Sequence, residues 1–219
     1  MIPLSDSIKS KHFPIATILI LALNIYIFYL QLTAGSIEQF IYTWGFIPAR
    51  LAPDSPDSWL TVTTSMFLHG GFLHIISNML FLWVFADNVE DALGSFKFLV
   101  FYLFSGIAAT LTQYAFDPGS TIPMIGASGA VAGVLAAYWK LYPRSKIHTL
   151  IPIGFFITSA DFPASIMIGL WFVIQLFSGY EAFNVENTST GGIAFFAHIG
   201  GFLAGLILIS TFFKVRRRK

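Results

Sequence analysis

The chain has 219 residues, of which 56% are hydrophobic and only 11% charged, with a net charge of +1 and a mean hydropathy of +0.74. A soluble domain carries roughly 25% charged residues, and a water-facing surface of this size needs far more charge than this. Composition excludes a soluble globular domain, a disordered chain and a nucleic-acid binder, and it points to an all-α polytopic membrane protein. Long continuous apolar runs exclude a transmembrane β-barrel, whose segments alternate. The absence of cysteine removes disulfides, thiolate metal sites and cysteine nucleophiles.

A helix needs about 20 apolar residues to cross a hydrocarbon core of roughly 30 Å. Six segments qualify or nearly qualify, at about 14–32, 71–85, 98–116, 128–139, 162–178 and 192–213. Pro14 suits the first turn of its helix, where a missing N–H costs nothing. The first segment lacks a small-residue cleavage signal and reads as a retained span. Six spans place both termini on one side, which collects every Lys and Arg except Arg50. The positive-inside rule makes that side cytoplasmic, as in a bacterial-type inner membrane. The basic run at 216–219 is a topology anchor able to touch anionic lipid.

Segment 147–159 is apolar but too short to span, and it contains Pro152 and Gly154. It is expected to be an interfacial or re-entrant piece before the fifth span. The outer loop 33–64, with Trp44, Phe46, Leu51 and Trp59, is expected to lie in the membrane interface.

Strongly polar groups inside spans are expensive and mark function. His74 and Asn78 stand four residues apart, on one helix face. His74 lies about 5 Å below the outer start of its span, and His198 about 9 Å below the start of the last one, at 1.5 Å per residue. The stretch Gly126-Ala127-Ser128-Gly129 opens the fourth span. From Ser128 to the first charge, Lys140, the helix covers only about 18 Å, roughly 12 Å short of the bilayer core. Pro118 and Pro123 prevent the helix from extending backward. The chain before Ser128 is therefore expected to dip into the membrane and line a wet cavity. Ser128 would sit on its floor, level with His74, Asn78 and His198.

That set is suited to nucleophilic catalysis. A serine needs an adjacent base, and histidine is the usual one. A tetrahedral oxyanion needs preorganised donors, which His74, Asn78 and the Ser128 N–H could supply at a helix N-terminus. All Asp and Glu read as linker or tail residues, so the expected arrangement is a Ser–His dyad without an orienting acid. Two GxxxG motifs, Gly129 to Gly133 and Gly201 to Gly205, would let spans four and six approach closely and bring Ser128 to His198.

Other polar residues have plainer readings. His69, in His69-Gly70-Gly71, reads as a loop-holding side chain. Asn24, Gln31, Ser105 and Gln113 read as packing hydrogen bonds, Asp161 as a helix cap, and His12 and His148 as incidental. A metal site built from His69, His74 and His198 would lack carboxylate or thiolate ligands and leave Ser128 unexplained, so neither metal nor cofactor is expected.

Four motifs then carry a family resemblance: His69-Gly-Gly-Phe-Leu-His74-Ile-Ile-Ser-Asn78, Glu90-Asp-Ala-Leu-Gly94, Gly126-Ala-Ser128-Gly129 and Ala197-His198-Ile-Gly-Gly201-Phe-Leu-Ala-Gly205. In this order the chain resembles the rhomboid intramembrane serine proteases. The resemblance implies a six-transmembrane-helix bundle with Ser128 as nucleophile, His198 as base, and His74 and Asn78 as oxyanion donors. Gly126, Gly129, Gly201, Gly205 and His69 would support them. The implied activity is cleavage of membrane-anchored protein substrates within or beside their transmembrane segment. Two departures stand out: Ala132 occupies a position where many members carry an aromatic under the catalytic histidine, and the first outer loop has Gly45 to Arg50 in place of a Trp-Arg pair. The rival readings are an inactive relative that binds membrane clients, against which the intact Ser–His pair argues, and a small transporter. The transporter would need an inverted repeat or an intramembrane carboxylate, neither of which is seen.

Overall fold

The computed structural model describes residues 2–52, 54–154, 156–184 and 194–211. Strand β1 (Ile2–Asp6) leads into α1 (Ile15–Thr33). The outer loop folds as α2 (Ile37–Trp44) and α3 (Pro56–Thr64), each followed by a single 3₁₀ turn. Then come α4 (Phe72–Leu93), α5 (Ser95–Phe116), α6 (Ser128–Leu141), β2 (Lys146–Ile153), β3 (Phe156–Pro163), α7 (Ala164–Asn184) and α8 (Phe195–Thr211).

Helices α1, α4 and α5, with residues 164–181 of α7, are long and apolar enough to cross a membrane, while α8 is a shorter apolar helix. Their outer faces leave Leu19, Leu73 and Phe177 more than 60% exposed. Such apolar surface suits lipid better than water. Helix α6 has only 14 residues, yet Gly129 to Tyr138 are all buried, which makes it the central rod around which α4, α5 and α8 pack.

The chain is not purely α-helical. Segment 147–159 forms most of an antiparallel hairpin, β2–β3, and β1 adds to it in the order β1-β2-β3. The stretch is rich in β-branched residues, and Gly154 supplies the positive φ of the turn (+60°). Asp161 is a strand residue whose carboxylate pairs with His148 at 2.9 Å, so it caps no helix. His12 likewise contacts Asp91. The sheet sits at the end of α4 and α6 remote from His74. There Asp6 accepts hydrogen bonds from Asn88 and the Tyr138 hydroxyl.

Helix boundaries also shift. Helix α4 runs on to Leu93, so Asp87, Glu90 and Asp91 are helical and not linker residues; Glu181 is likewise within α7. Glu90 explains why α4 tolerates a buried acid. Its carboxylate accepts from the N–H groups of Ala16 and Thr17 (2.9 and 2.8 Å), from the Thr17 hydroxyl (2.7 Å) and from the Ser95 hydroxyl (2.6 Å). One side chain thus satisfies two of the free donors at the start of α1 and ties α1, α4 and α5 together. Glu90→Ala is expected to cost about 3 kcal/mol, because it strands buried donors. Unfolding in detergent micelles, followed by helical circular dichroism, reads this directly.

Candidate active site

The chain before Ser128 is irregular from 117 to 127 and is held by backbone hydrogen bonds to the outer loop. Phe46 and Met124 exchange two of them (3.1 and 2.7 Å), Ala49 N–H donates to Ser120 (3.0 Å), and Gly126 N–H donates to Ser65 (2.9 Å). The outer loop therefore works as a clamp. Arg50 braces it by stacking on Tyr42, 3.5 Å from the ring centre, and donating to the Tyr42 carbonyl at 3.1 Å.

This clamp delivers Ser128 as the first residue of α6, where the backbone N–H has no helical partner. Across from it, α8 starts at Phe195, so His198 lies within its first turn. The spacing is set by glycine. A Cβ at Gly201 would stand 2.0 Å from the Gly129 carbonyl oxygen, and one at Gly205 would stand 2.5 Å from the Gly133 Cα. With backbones this close, Ser128 Oγ lies 2.8 Å from His198 Nε2. Gln113 of α5 holds the start of α8, accepting from the Ala197 N–H at 3.2 Å.

His74 and Asn78 line the same cavity, of about 1430 Å³, as Ser128 and His198. The Gly70 N–H donates to His74 Nδ1 at 3.2 Å. Nδ1 is therefore the acceptor nitrogen, and in the neutral ring Nε2 carries the proton. Nε2 faces Gly126, where a Cβ would stand only 2.6 Å away, and the Gly126 φ of +123° itself demands glycine. Asn78 Nδ2 is buried without a hydrogen-bond partner among the described residues. Two donors thus converge on the cavity.

His69 stays behind them. Gln31 of α1 grips its backbone twice, accepting from its N–H (3.0 Å) and donating to its carbonyl (3.1 Å). Its ring packs edge-on against His74, with centroids 5.0 Å apart. Burial, reinforced by His74, pushes the His69 imidazole down to about 3, which keeps it neutral at pH 7. Among the described residues no group of three His, Cys, Asp or Glu could hold a metal ion.

Two residues of the site escape a sequence reading. Gln175 of α7 places Oε1 2.7 Å from His198 Nδ1. Trp171, one turn earlier on the same face, lies 5.8 Å from the imidazole between ring centres. Trp171 supplies an aromatic beside His198 although position 132 is a buried alanine. A polar residue inside the fifth span was the available signal for Gln175, but nothing in the order of residues aims it at His198.

The Rhomboid domain family matches residues 56–215, which takes in all four motifs and both partners of the 2.8 Å pair. The chain belongs to the rhomboid family. Among similar proteins, Rhomboid protease GluP of Bacillus subtilis (strain 168) is 30% identical over 194 residues, covering 88% of this chain and 34% of that protein. Presenilin-associated rhomboid-like protein A, mitochondrial, of Danio rerio is 30% identical over 157 residues, or 70% of this chain and 38% of that protein. Rhomboid protein 1, mitochondrial, of Saccharomyces cerevisiae is 29% identical over 172 residues, covering 75% and 45% respectively. The chain spans about a third to a half of these relatives' lengths. Rhomboid membership and the apolar helices together make it an integral, multi-pass membrane protein.

Proposed function

We propose that this rhomboid is an intramembrane serine endopeptidase acting on transmembrane protein substrates. The reading rests above all on the hydrogen bond between Ser128 Oγ and His198 Nε2 at the wall of a cavity large enough for an unwound peptide. In it, the Ser128 oxygen attacks the scissile carbonyl carbon as its proton passes to His198 Nε2. The carbonyl oxygen takes the electron pair and is held by His74 Nε2–H, Asn78 Nδ2–H and the Ser128 N–H. His198 then gives the proton to the leaving amine. Water, activated by the same imidazole, hydrolyses the acyl-enzyme.

The membrane setting follows from the same reading. Six spans, the four long helices plus α6 and α8, leave both termini cytoplasmic and the cavity open to the outer side. At about 21 Å, α6 is too short for a core of roughly 30 Å, so the 117–127 segment dips to meet it. The cavity wall carries Phe72, Leu73 and Phe81 of α4 and Trp171 of α7; this favours lateral entry of a substrate helix beside α7. The loop 179–192, a candidate cap from its composition, begins inside α7, and its remainder, 185–192, lies outside the described residues.

The test uses purified protein in detergent, a mechanism-based serine-hydrolase probe and a reporter transmembrane substrate. Labelling and cleavage that both disappear in Ser128→Ala are expected; labelling that survives this substitution would defeat the proposal. Gly126→Ala is a subtler probe. It pushes a methyl group toward His74 Nε2 and strains the backbone, and is expected to lower kcat about 100-fold, the scale of one lost oxyanion donor. Comparing kcat and helical content of this variant with the parent protein checks it.

A further inference from the structure

We propose that Gln175 is a positioning residue that sets the tautomer of His198, taking the place an acid holds in serine triads. The inference rests on the protease reading and concerns how its base is prepared. Gln175 is 8% exposed and does not line the cavity, so it does not reach a substrate in that cavity; its oxygen meets His198 Nδ1 at 2.7 Å. On the other side of the ring, Nε2 meets Ser128 Oγ at 2.8 Å.

A neutral imidazole donates from one nitrogen and accepts at the other. An amide oxygen accepts only, so it holds the proton on Nδ1 and leaves the Nε2 lone pair facing Ser128. Donors then run in one direction, from the Ser128 hydroxyl to Nε2 and from Nδ1–H to the Gln175 oxygen. The reverse tautomer would put a proton on Nε2 and leave Ser128 without its base. During attack, the Ser128 proton moves to Nε2 while Nδ1 keeps its own, and the Gln175 dipole stabilises the resulting imidazolium. A neutral amide does this less strongly than a carboxylate, but without the cost of an unpaired charge among apolar helices. Ordering of a histidine through its second nitrogen is a general device. The same bond joins α7 to α8, so a purely structural role must be separated from this one.

The experiment compares the full chain with Gln175→Leu and Gln175→Glu in detergent micelles, using ¹⁵N-histidine spectra and cleavage kinetics. His198 signals are assigned by their loss in His198→Ala. The expected parent spectrum has Nδ1 protonated and Nε2 bare. In Gln175→Leu the two tautomers mix, and kcat falls about 100-fold, the scale of general-base catalysis, with KM changed by less than about threefold. Gln175→Glu, which keeps an acceptor oxygen, recovers kcat to within about tenfold of the parent and keeps Nδ1 protonated. A Gln175→Leu protein with parental kcat and tautomer overturns the proposal. So does an equal loss in both variants with the tautomer unchanged, which would mark Gln175 as a helix tie alone. If the parent neither labels at Ser128 nor cleaves, the protease reading fails, while the spectra still decide what Gln175 does to His198.

Discussion

Removing the Ser128 hydroxyl is expected to lower cleavage by about a thousandfold or more, and removing the His198 imidazole by a comparable factor. The two losses should not multiply. Without the base, the Ser128 hydroxyl is a weak nucleophile; without the nucleophile, the base has no proton to take. The pair Ser128→Ala and His198→Ala in one chain is therefore expected to match either single change. What remains would come from the donors of His74, Asn78 and the Ser128 N–H, which need neither partner. Cleavage rates for the two single variants and the double variant, measured on one reporter substrate, check this. Multiplying losses would mean that Ser128 and His198 act in separate steps. The Ser128 change should affect folding little, since its side chain lines the cavity, whereas His198→Ala also removes the bond to Gln175 between α7 and α8, so helical content is compared alongside the rates.

The second large effect lies in the glycine seam. Gly201→Val is expected to cost at least about 3 kcal/mol of stability and to remove activity with it. The reason is geometric: the new Cβ would stand 2.0 Å from the Gly129 carbonyl oxygen and 2.9 Å from its carbon. Those are backbone atoms, so no side-chain rotation relieves the clash, and α6 and α8 must separate. A separation of about 1 Å stretches the 2.8 Å contact between Ser128 and His198 beyond hydrogen-bond range. Gly169→Ala is the matching control. Nothing lies within 4 Å of a Cβ there, and the change is expected to be neutral or to stabilise α7 by up to about 1 kcal/mol. Unfolding of both variants in micelles, paired with probe labelling at Ser128, separates a seam effect from a general intolerance of glycine replacement.

Much of this site was legible in the order of residues because its depth is set by one-dimensional quantities. A helix rises by a fixed amount per residue, so counting from span ends put Ser128, His74 and Asn78 near one level. The start of α8 at Phe195 moves His198 to about 5 Å below the helix end, closer still to His74. The GxxxG spacing announced the close approach of α6 and α8, because small residues at that interval leave one face of a helix bare. The acids were harder to place. Hydropathy ends α4 where charge begins, near residue 85. The helix continues to Leu93 because Glu90 finds four donors on α1 and α5, and those contacts are invisible before the helices pack. The hairpin at 147–159 is a similar case. Its strands pair with each other and with β1, more than 130 residues away, so an apolar run too short to span could not by itself reveal a sheet.

The sequence alone determined the membrane-embedded character of the chain, singled out Ser128 and His198 as candidate nucleophile and base, and marked the glycines between them, since composition, rise per residue and motif spacing are local properties. The expected dyad has no orienting acid, because every Asp and Glu reads as a linker or tail residue. What takes that place was decided only by tertiary structure. Gln175 and Trp171 reach His198 because α7 packs against α8 with one particular rotation about its axis. That rotation comes from the packing of whole helices and not from any residue's own preference.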